Sequence, residues 1–135
     1  MKGFLWRWGP PLLWAVAVFA VSSRPTLPQL PSVFGWDKLQ HAAAYAVGGL
    51  LLARAVGRGG RGALLAAALG SLYGASDEAH QLLVRNRSSD PADWIADTLG
   101  VAAGVALWHL WLHHSERRAG RRAAAPDVHA ATTNP

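Results

Sequence analysis

Six of the eight Asp and Glu residues in this 135-residue chain fall between positions 37 and 97, in company with His41, Tyr45, Tyr73, His80 and Gln81. Carboxylates beside an imidazole do one of two things well: they hold a divalent cation, or they pair with an amine. The set Asp37, Asp77, Glu78, Asp90, Asp93 and Asp97 faces only Lys38, Arg85 and Arg87 as fixed cations, a net charge of −3 before any histidine is protonated. A cluster of that sign takes a positive partner. A phosphate joins it only through a bridging metal ion, or in the grip of Arg85 and Arg87 from the loop above. The chain has no cysteine, which excludes a disulfide frame, a thiolate zinc site and a cysteine nucleophile. It has no His-Glu-x-x-His pair either, and Ser76, Ser88 and Ser89 read as helix and loop polar contacts rather than as nucleophiles.

Spacing groups these residues. At about 100° per residue, Asp37, His41, Tyr45 and Gly48 share one helical face. Gly70, Tyr73, Gly74, Asp77 and Gln81 share a second, flanked by Glu78 and His80, and Asp93, Asp97, Gly100 and Gly104 share a third. Each polar stripe continues into glycines that let helices approach closely. Because four residues span about 6 Å of helix, the stripes also match in depth. Asp37, Gln81 and Asp93 form the outermost layer, His41, Asp77, Glu78 and Asp97 the next, and Tyr45, Tyr73, Gly74 and Gly100 the deepest. The middle layer is the expected site. Capping accounts for Asp90, with Pro91 at the first helical position, and can account for Asp37 and Asp93. It cannot account for His41, Asp77, Glu78 or Asp97, which lie a turn or more inside their helices.

The elements that carry these stripes are apolar nearly all round. The chain is 51% hydrophobic and only 16% charged, against about 25% charged for a soluble domain. Its seven Trp against three Phe and two Tyr suit a belt of interfacial anchors. Four stretches lack Asp, Glu, Lys and Arg: 8–23, 39–53, 62–76 and 98–115. Extended through their flanking polar residues they give helices near 6–23, 36–56, 62–84 and 91–113, each close to the ~20 residues that cross a bilayer. A soluble bundle would instead show a charged stripe along the length of each helix. The first segment, with Lys2 and Arg7 ahead of an apolar run and Ala20, Ser22 and Ser23 after it, also resembles a cleavable signal peptide, whose loss would leave the other helices' orientation unchanged.

Nine of the 13 Lys and Arg residues (Lys2, Arg7, Arg54, Arg58, Arg61, Arg117, Arg118, Arg121 and Arg122) fall on one side of such a bundle, and Arg24, Lys38, Arg85 and Arg87 on the other. The positive-inside rule then predicts both termini in the cytoplasm and the acidic cluster on the outer face. The Gly-Arg stretch 57–62 reads as a tight basic turn and not as a nucleic-acid-binding segment. Residues 1–115 form the expected membrane domain, and 116–135 a disordered basic cytoplasmic tail whose arginines lie near anionic headgroups.

At these residues the chain resembles the VanZ-like family of small bacterial membrane proteins. The resemblance rests on Asp37-Lys38-x-x-His41-x-x-x-Tyr45-x-x-Gly48, on Tyr73-Gly74-x-x-Asp77-Glu78-x-His80-Gln81, and on Arg87 followed by Asp93-x-x-x-Asp97-Thr98-x-Gly100-x-x-x-Gly104. It implies an all-α integral protein with four transmembrane helices in the bacterial cytoplasmic membrane. The family's namesake is an accessory determinant of resistance to the glycopeptide teicoplanin. One departure stands out: the loop reads Val84-Arg85-Asn86-Arg87 where Val-Pro-Gly-Arg is expected.

The expected function is binding, with Asp37, His41, Tyr45, Asp77, Glu78, Gln81, Arg87, Asp93 and Asp97 lining an outer-face site for an envelope lipid, a lipid-linked cell-wall precursor or an amphiphilic glycopeptide. A rival from another class is an intramembrane metalloenzyme acting on a lipid-linked substrate, with His41, Asp77, Glu78 and Asp97 as candidate ligands of a divalent ion. A third reading makes the stripes interhelical glue in a subunit of a membrane complex.

Overall fold

The computed structural model describes residues 2–25, 36–87 and 89–123. They form four helices: α1 (Lys2–Ser22), α2 (Trp36–Val56), α3 (Gly60–Gln81) and α4 (Pro91–Ala123). All four have the length to cross a bilayer, since 21 residues rise about 31 Å. Length and apolarity together are met by α1 and α4. In α2 and α3 the polar stripes dilute the hydropathy: Asp37, Lys38, Gln40 and His41 open one helix, and Ser76, Asp77, Glu78, His80 and Gln81 close the other.

The distribution of side chains is the reverse of a soluble bundle. Leu13, Val16, Leu64, Leu72, Leu99, Leu107 and Trp111 face outward, while Asp77, Glu78, Gln81, Asp93 and Asp97 are buried. Water-facing helices do the opposite, because apolar surface leaves water and charge keeps it. Here the outside suits hydrocarbon and the inside holds the polar groups.

Helices α2 and α4 form the most extensive pair. Their backbones touch at three glycines. A Cβ on Gly49 would stand 2.8 Å from Val101 Cα, one on Gly100 2.9 Å from Ala42 C, and one on Gly104 2.7 Å from Leu50 N. These approaches require the missing side chain, since backbone atoms cannot swing aside. The buried apolar centre is Tyr45, Leu52, Ala53, Ala66, Val101 and Val105.

Helix α1 docks on α2 and α3 through aromatic and polar contacts. Trp14 Nε1 donates to Ala44 O at 2.9 Å, Tyr73 Oη donates to Ala15 O at 2.5 Å, and Trp14 meets Tyr45 edge-on with ring centroids 5.3 Å apart. At the opposite end from the acidic residues, Arg7 donates through Nε to Ala55 O and through Nη2 to Val56 O at 2.7 Å, satisfying carbonyls that the end of α2 leaves free. The turn into α3 needs glycine at Gly57 (φ 110°) and Gly59 (φ 95°), where a side chain would meet the left-handed steric penalty.

Several expected boundaries move. α3 is shifted toward the N-terminus, 60–81 rather than 62–84, because the chain turns at Leu82 and Leu83. α4 passes its expected end near 113 and continues to Ala123, so Glu116–Ala123, expected in a disordered tail, are helical. Ala and Arg are strong helix formers. Arg117 Nε donates to His113 Nε2 one turn back at 3.1 Å, and Arg58 pairs with Glu116 at 3.1 Å. The rest of that tail, 124–135, and Ser88 lie outside the described residues.

Candidate functional site

The polar stripes meet at one end of the bundle. The outermost layer is organised by Lys38, in the first turn of α2, whose Nζ lies 2.5 Å from Asp93 Oδ1, 2.6 Å from Asp90 Oδ2 and 3.2 Å from Asp37 Oδ2. One ammonium therefore ties the start of α2 to the start of α4. Asp90 caps α4 by accepting from Ala92 N at 2.9 Å, with Pro91 at the first helical position as its spacing requires. The Lys38 ammonium beside it holds the Asp90 carboxyl below its ordinary value of 3.8. Asp37 is not the cap of α2: it sits inside the first turn, where its carboxylate turns to Lys38.

The next layer is buried except for a partly exposed His41. His41 Nδ1 lies 3.0 Å from Asp97 Oδ1, joining α2 to α4, and His41 Nε2 lies 3.9 Å from Asp93 Oδ2. Glu78, on α3, accepts from Ser89 Oγ at 3.1 Å and from Asp90 N at 3.0 Å through one oxygen, and from Gln81 Nε2 at 3.2 Å through the other. Asp97 has no exposure, Gln81 2%, Asp77 4% and Glu78 5%. Ionisable groups placed so deep cost about 2.5–3.5 kcal/mol each on insertion scales unless a partner offsets the charge.

His41, Glu78 and Asp97 each offer one ligand atom, and the three atoms lie within 4.8 Å of one another. Asp77, expected in the same set, is turned instead toward α1: its Oδ2 accepts from Ser22 Oγ at 2.7 Å and lies 3.4 Å from Gln81 Nε2. The Tyr45 hydroxyl, Asp97 Oδ2 and Asp77 Oδ1 are buried with no hydrogen-bond partner among the described residues. Gly74 forms the wall there, since a Cβ on it would stand 3.2 Å from Asp97 Oδ2 and 3.3 Å from Tyr45 Cε1.

Among the described residues Arg87 forms no ion pair with the carboxylates. Its Nη2 is 3.5 Å from Val21 O, over the C-terminal end of α1. In the same loop Asn86 takes φ 60°, the left-handed conformation for which Gly was expected, and Asn is among the few side chains that tolerate it. The sequence departure therefore keeps a turn that needs a left-handed residue.

Sequence reasoning missed the part that α1 plays. Ser22 bonds Asp77, Ser23 Oγ lies 3.0 Å from His80 Nε2, and Phe19 stacks on His80 with ring centroids 4.6 Å apart. The available signal was the Ser22-Ser23 pair itself, which ends the first helix at the level of the acidic layer but reads equally well as a cleavage region. Lys38 was counted only as one cation among three. Its position one residue after Asp37 hides that its long side chain reaches α4.

A family model described as VanZ/LLP1 matches residues 11–112, taking in most of α1, all of α2 and α3, and α4 as far as Leu112. No curated protein and no solved structure matches the chain.

Proposed function

Since the chain belongs to the VanZ/LLP1 family, we propose that it is a four-span protein of the bacterial cytoplasmic membrane whose outer face binds an amphiphilic envelope molecule, a lipid-linked cell-wall precursor or a glycopeptide of the teicoplanin type. The observation that carries this reading is the convergence of buried Ser22, Asp77, Glu78 and Asp97 and partly exposed His41, drawn from all four helices, into one polar layer at one end of an otherwise apolar bundle. Stability alone does not call for such a layer, because apolar side chains of the same volume pack helices at no desolvation cost. The layer's excess of carboxylates means that the bound molecule brings a positive group or meets a cation already held there.

The orientation follows from charge. Arg7, Arg54 and Arg58 gather at the end opposite the acidic layer, near Trp6, Val56 and Glu116. With both termini cytoplasmic, that end faces the anionic inner leaflet. The chain has no cysteine, so single-cysteine variants report cleanly. A membrane-impermeant maleimide should label Arg85→Cys in intact cells and Arg118→Cys only after permeabilisation. The opposite pattern refutes the topology.

For the function itself, expression in a susceptible bacterium should raise tolerance to teicoplanin, and Asp97→Asn should remove the effect at unchanged protein level. Full tolerance in that variant refutes the binding role of the layer. Stoichiometric co-purification with a fixed partner chain, without either ligand binding or tolerance, would instead assign the stripes to assembly.

A further inference from the structure

We propose that the positive charge belonging to the buried layer is a divalent metal ion, held by His41, Glu78 and Asp97 and presented toward the outer face, where it recognises a phosphate-bearing lipid. This inference rests on the reading of that layer as the functional site and specifies what the site takes.

Size and access decide between an ion and an amine. The three ligand atoms come from α2, α3 and α4 and lie within 4.8 Å of one another, while two atoms bonded to one ion at about 2.1 Å stand ~3.4 Å apart. Binding therefore asks the most distant pair to close by at most about 1.4 Å, while His41 Nδ1 and Asp97 Oδ1 already stand 3.0 Å apart. An ammonium group on a bulky ligand would need an opening down to Asp97, which has no exposure, and to Glu78, which has 5%. A bare ion needs only an edge, and the His41 side chain, 21% exposed, leaves one.

A second observation is independent of the cluster's charge. Asp97 spends Oδ1 on His41, and among the described residues its Oδ2 is buried without a partner, as is the Tyr45 hydroxyl. A buried carboxylate oxygen normally accepts at least one hydrogen bond, so an unpartnered one at such a junction marks a missing cation or donor. Gly74 lets α3 pack close beside it: a side chain there would press on both Oδ2 and the Tyr45 ring.

The outer layer is in the right state to complement this. Lys38 already pairs with Asp37, Asp90 and Asp93, so those carboxylates do not compete for the ion. Lys38 makes no hydrogen bond or ion pair with His41, Glu78 or Asp97 among the described residues. One imidazole with two carboxylates suits Zn2+ or Mn2+ better than Mg2+, which keeps its water and prefers oxygen alone. Three protein ligands leave a position free. An ion with a free position turns an acidic pocket, which would repel a phosphate, into one that binds it.

The test is titration of the full chain, purified in detergent and stripped with a chelator, with Zn2+, Mn2+ and Mg2+ separately by calorimetry, beside metal content by mass spectrometry on protein never exposed to chelator. The expected result is about one ion per chain for Zn2+ or Mn2+, with affinity lowered at least tenfold in Glu78→Gln and Asp97→Asn. His80→Gln, whose ring lies against Phe19 and Ser23, should bind as the parent chain does. Circular dichroism identifies any variant that has lost its helices, and Glu78→Gln, nearly isosteric, serves if Asp97→Asn fails to fold. No stoichiometric binding by folded protein, or equal binding by the folded variants, overturns the proposal. Retention of a polyprenyl phosphate in nanodiscs should require the ion, and retention unchanged by chelator overturns the proposal while leaving the envelope-binding reading in place. Ion binding in a chain that engages no envelope molecule and confers no tolerance supports the metal site and overturns that reading instead.

Discussion

Replacing Lys38 by Met removes a cation that joins α2 to α4 in the outer layer. Lys38 is 31% exposed and its partners Asp37 and Asp90 are 48% and 46% exposed, so solvent screens those two pairs and they add little. Asp93 is different, being 13% exposed and bonded at 2.5 Å. Left without its ammonium, it bears a desolvation penalty of about 1–3 kcal/mol, and it also repels Asp90 more strongly. The loss is therefore roughly 1–3 kcal/mol, and at ~3–5 °C per kcal/mol for a chain of this size the melting temperature falls by about 3–15 °C. Tryptophan fluorescence of the detergent-solubilised protein follows the transition, since seven Trp are spread along the chain. Asp93→Asn in the same background tests the cause. If the penalty comes from an unpaired carboxylate, the double variant melts higher than the sum of the single effects allows. A Lys38→Met protein that melts with the parent, or a strictly additive double variant, refutes the clasp.

Gly104→Val should cost at least about 1–3 kcal/mol and broaden the size-exclusion profile, because its Cβ would lie 2.7 Å from Leu50 N, which cannot move aside; an unchanged profile and melt refute the backbone contact. Ser22→Ala should lower stability by about 1–3 kcal/mol, as the buried Asp77 loses its 2.7 Å donor, and a silent substitution would detach α1 from the site. Acid should act on the outer layer in a defined direction. The Asp90 carboxyl is held below 3.8 in the folded chain, so the folded state binds fewer protons there than the unfolded one. Its contribution is complete at neutral pH and lost as pH falls below about 4. Melting temperature measured downward from neutral pH should show that loss in the parent chain and a smaller one in Lys38→Met; identical acid slopes refute the linkage.

The covalent sequence determined the elements and the levels of this protein. Runs of apolar residues without charge specify helices whatever surrounds them, which is why α2 was expected at 36–56 and found at Trp36–Val56. The helical rise placed His41, Asp77, Glu78 and Asp97 at one depth, and Pro91 after Asp90 announced the start of α4. Charge asymmetry between the two ends was legible in the same way, because it requires only counting. Reach and rotation were not legible. Period tells which face a side chain leaves from, but not how far a lysine extends or which neighbour a carboxylate turns to. Only the packed bundle sends Lys38 across to Asp90 and Asp93, and turns Asp77 away from His41 toward Ser22. It alone brings one atom each of His41, Glu78 and Asp97 within 4.8 Å, because that distance depends on how closely Gly49, Gly100 and Gly104 let α2 and α4 approach. Spacing along a helix is a local property of the chain, whereas distance between helices is set by the residues that are small enough to permit it.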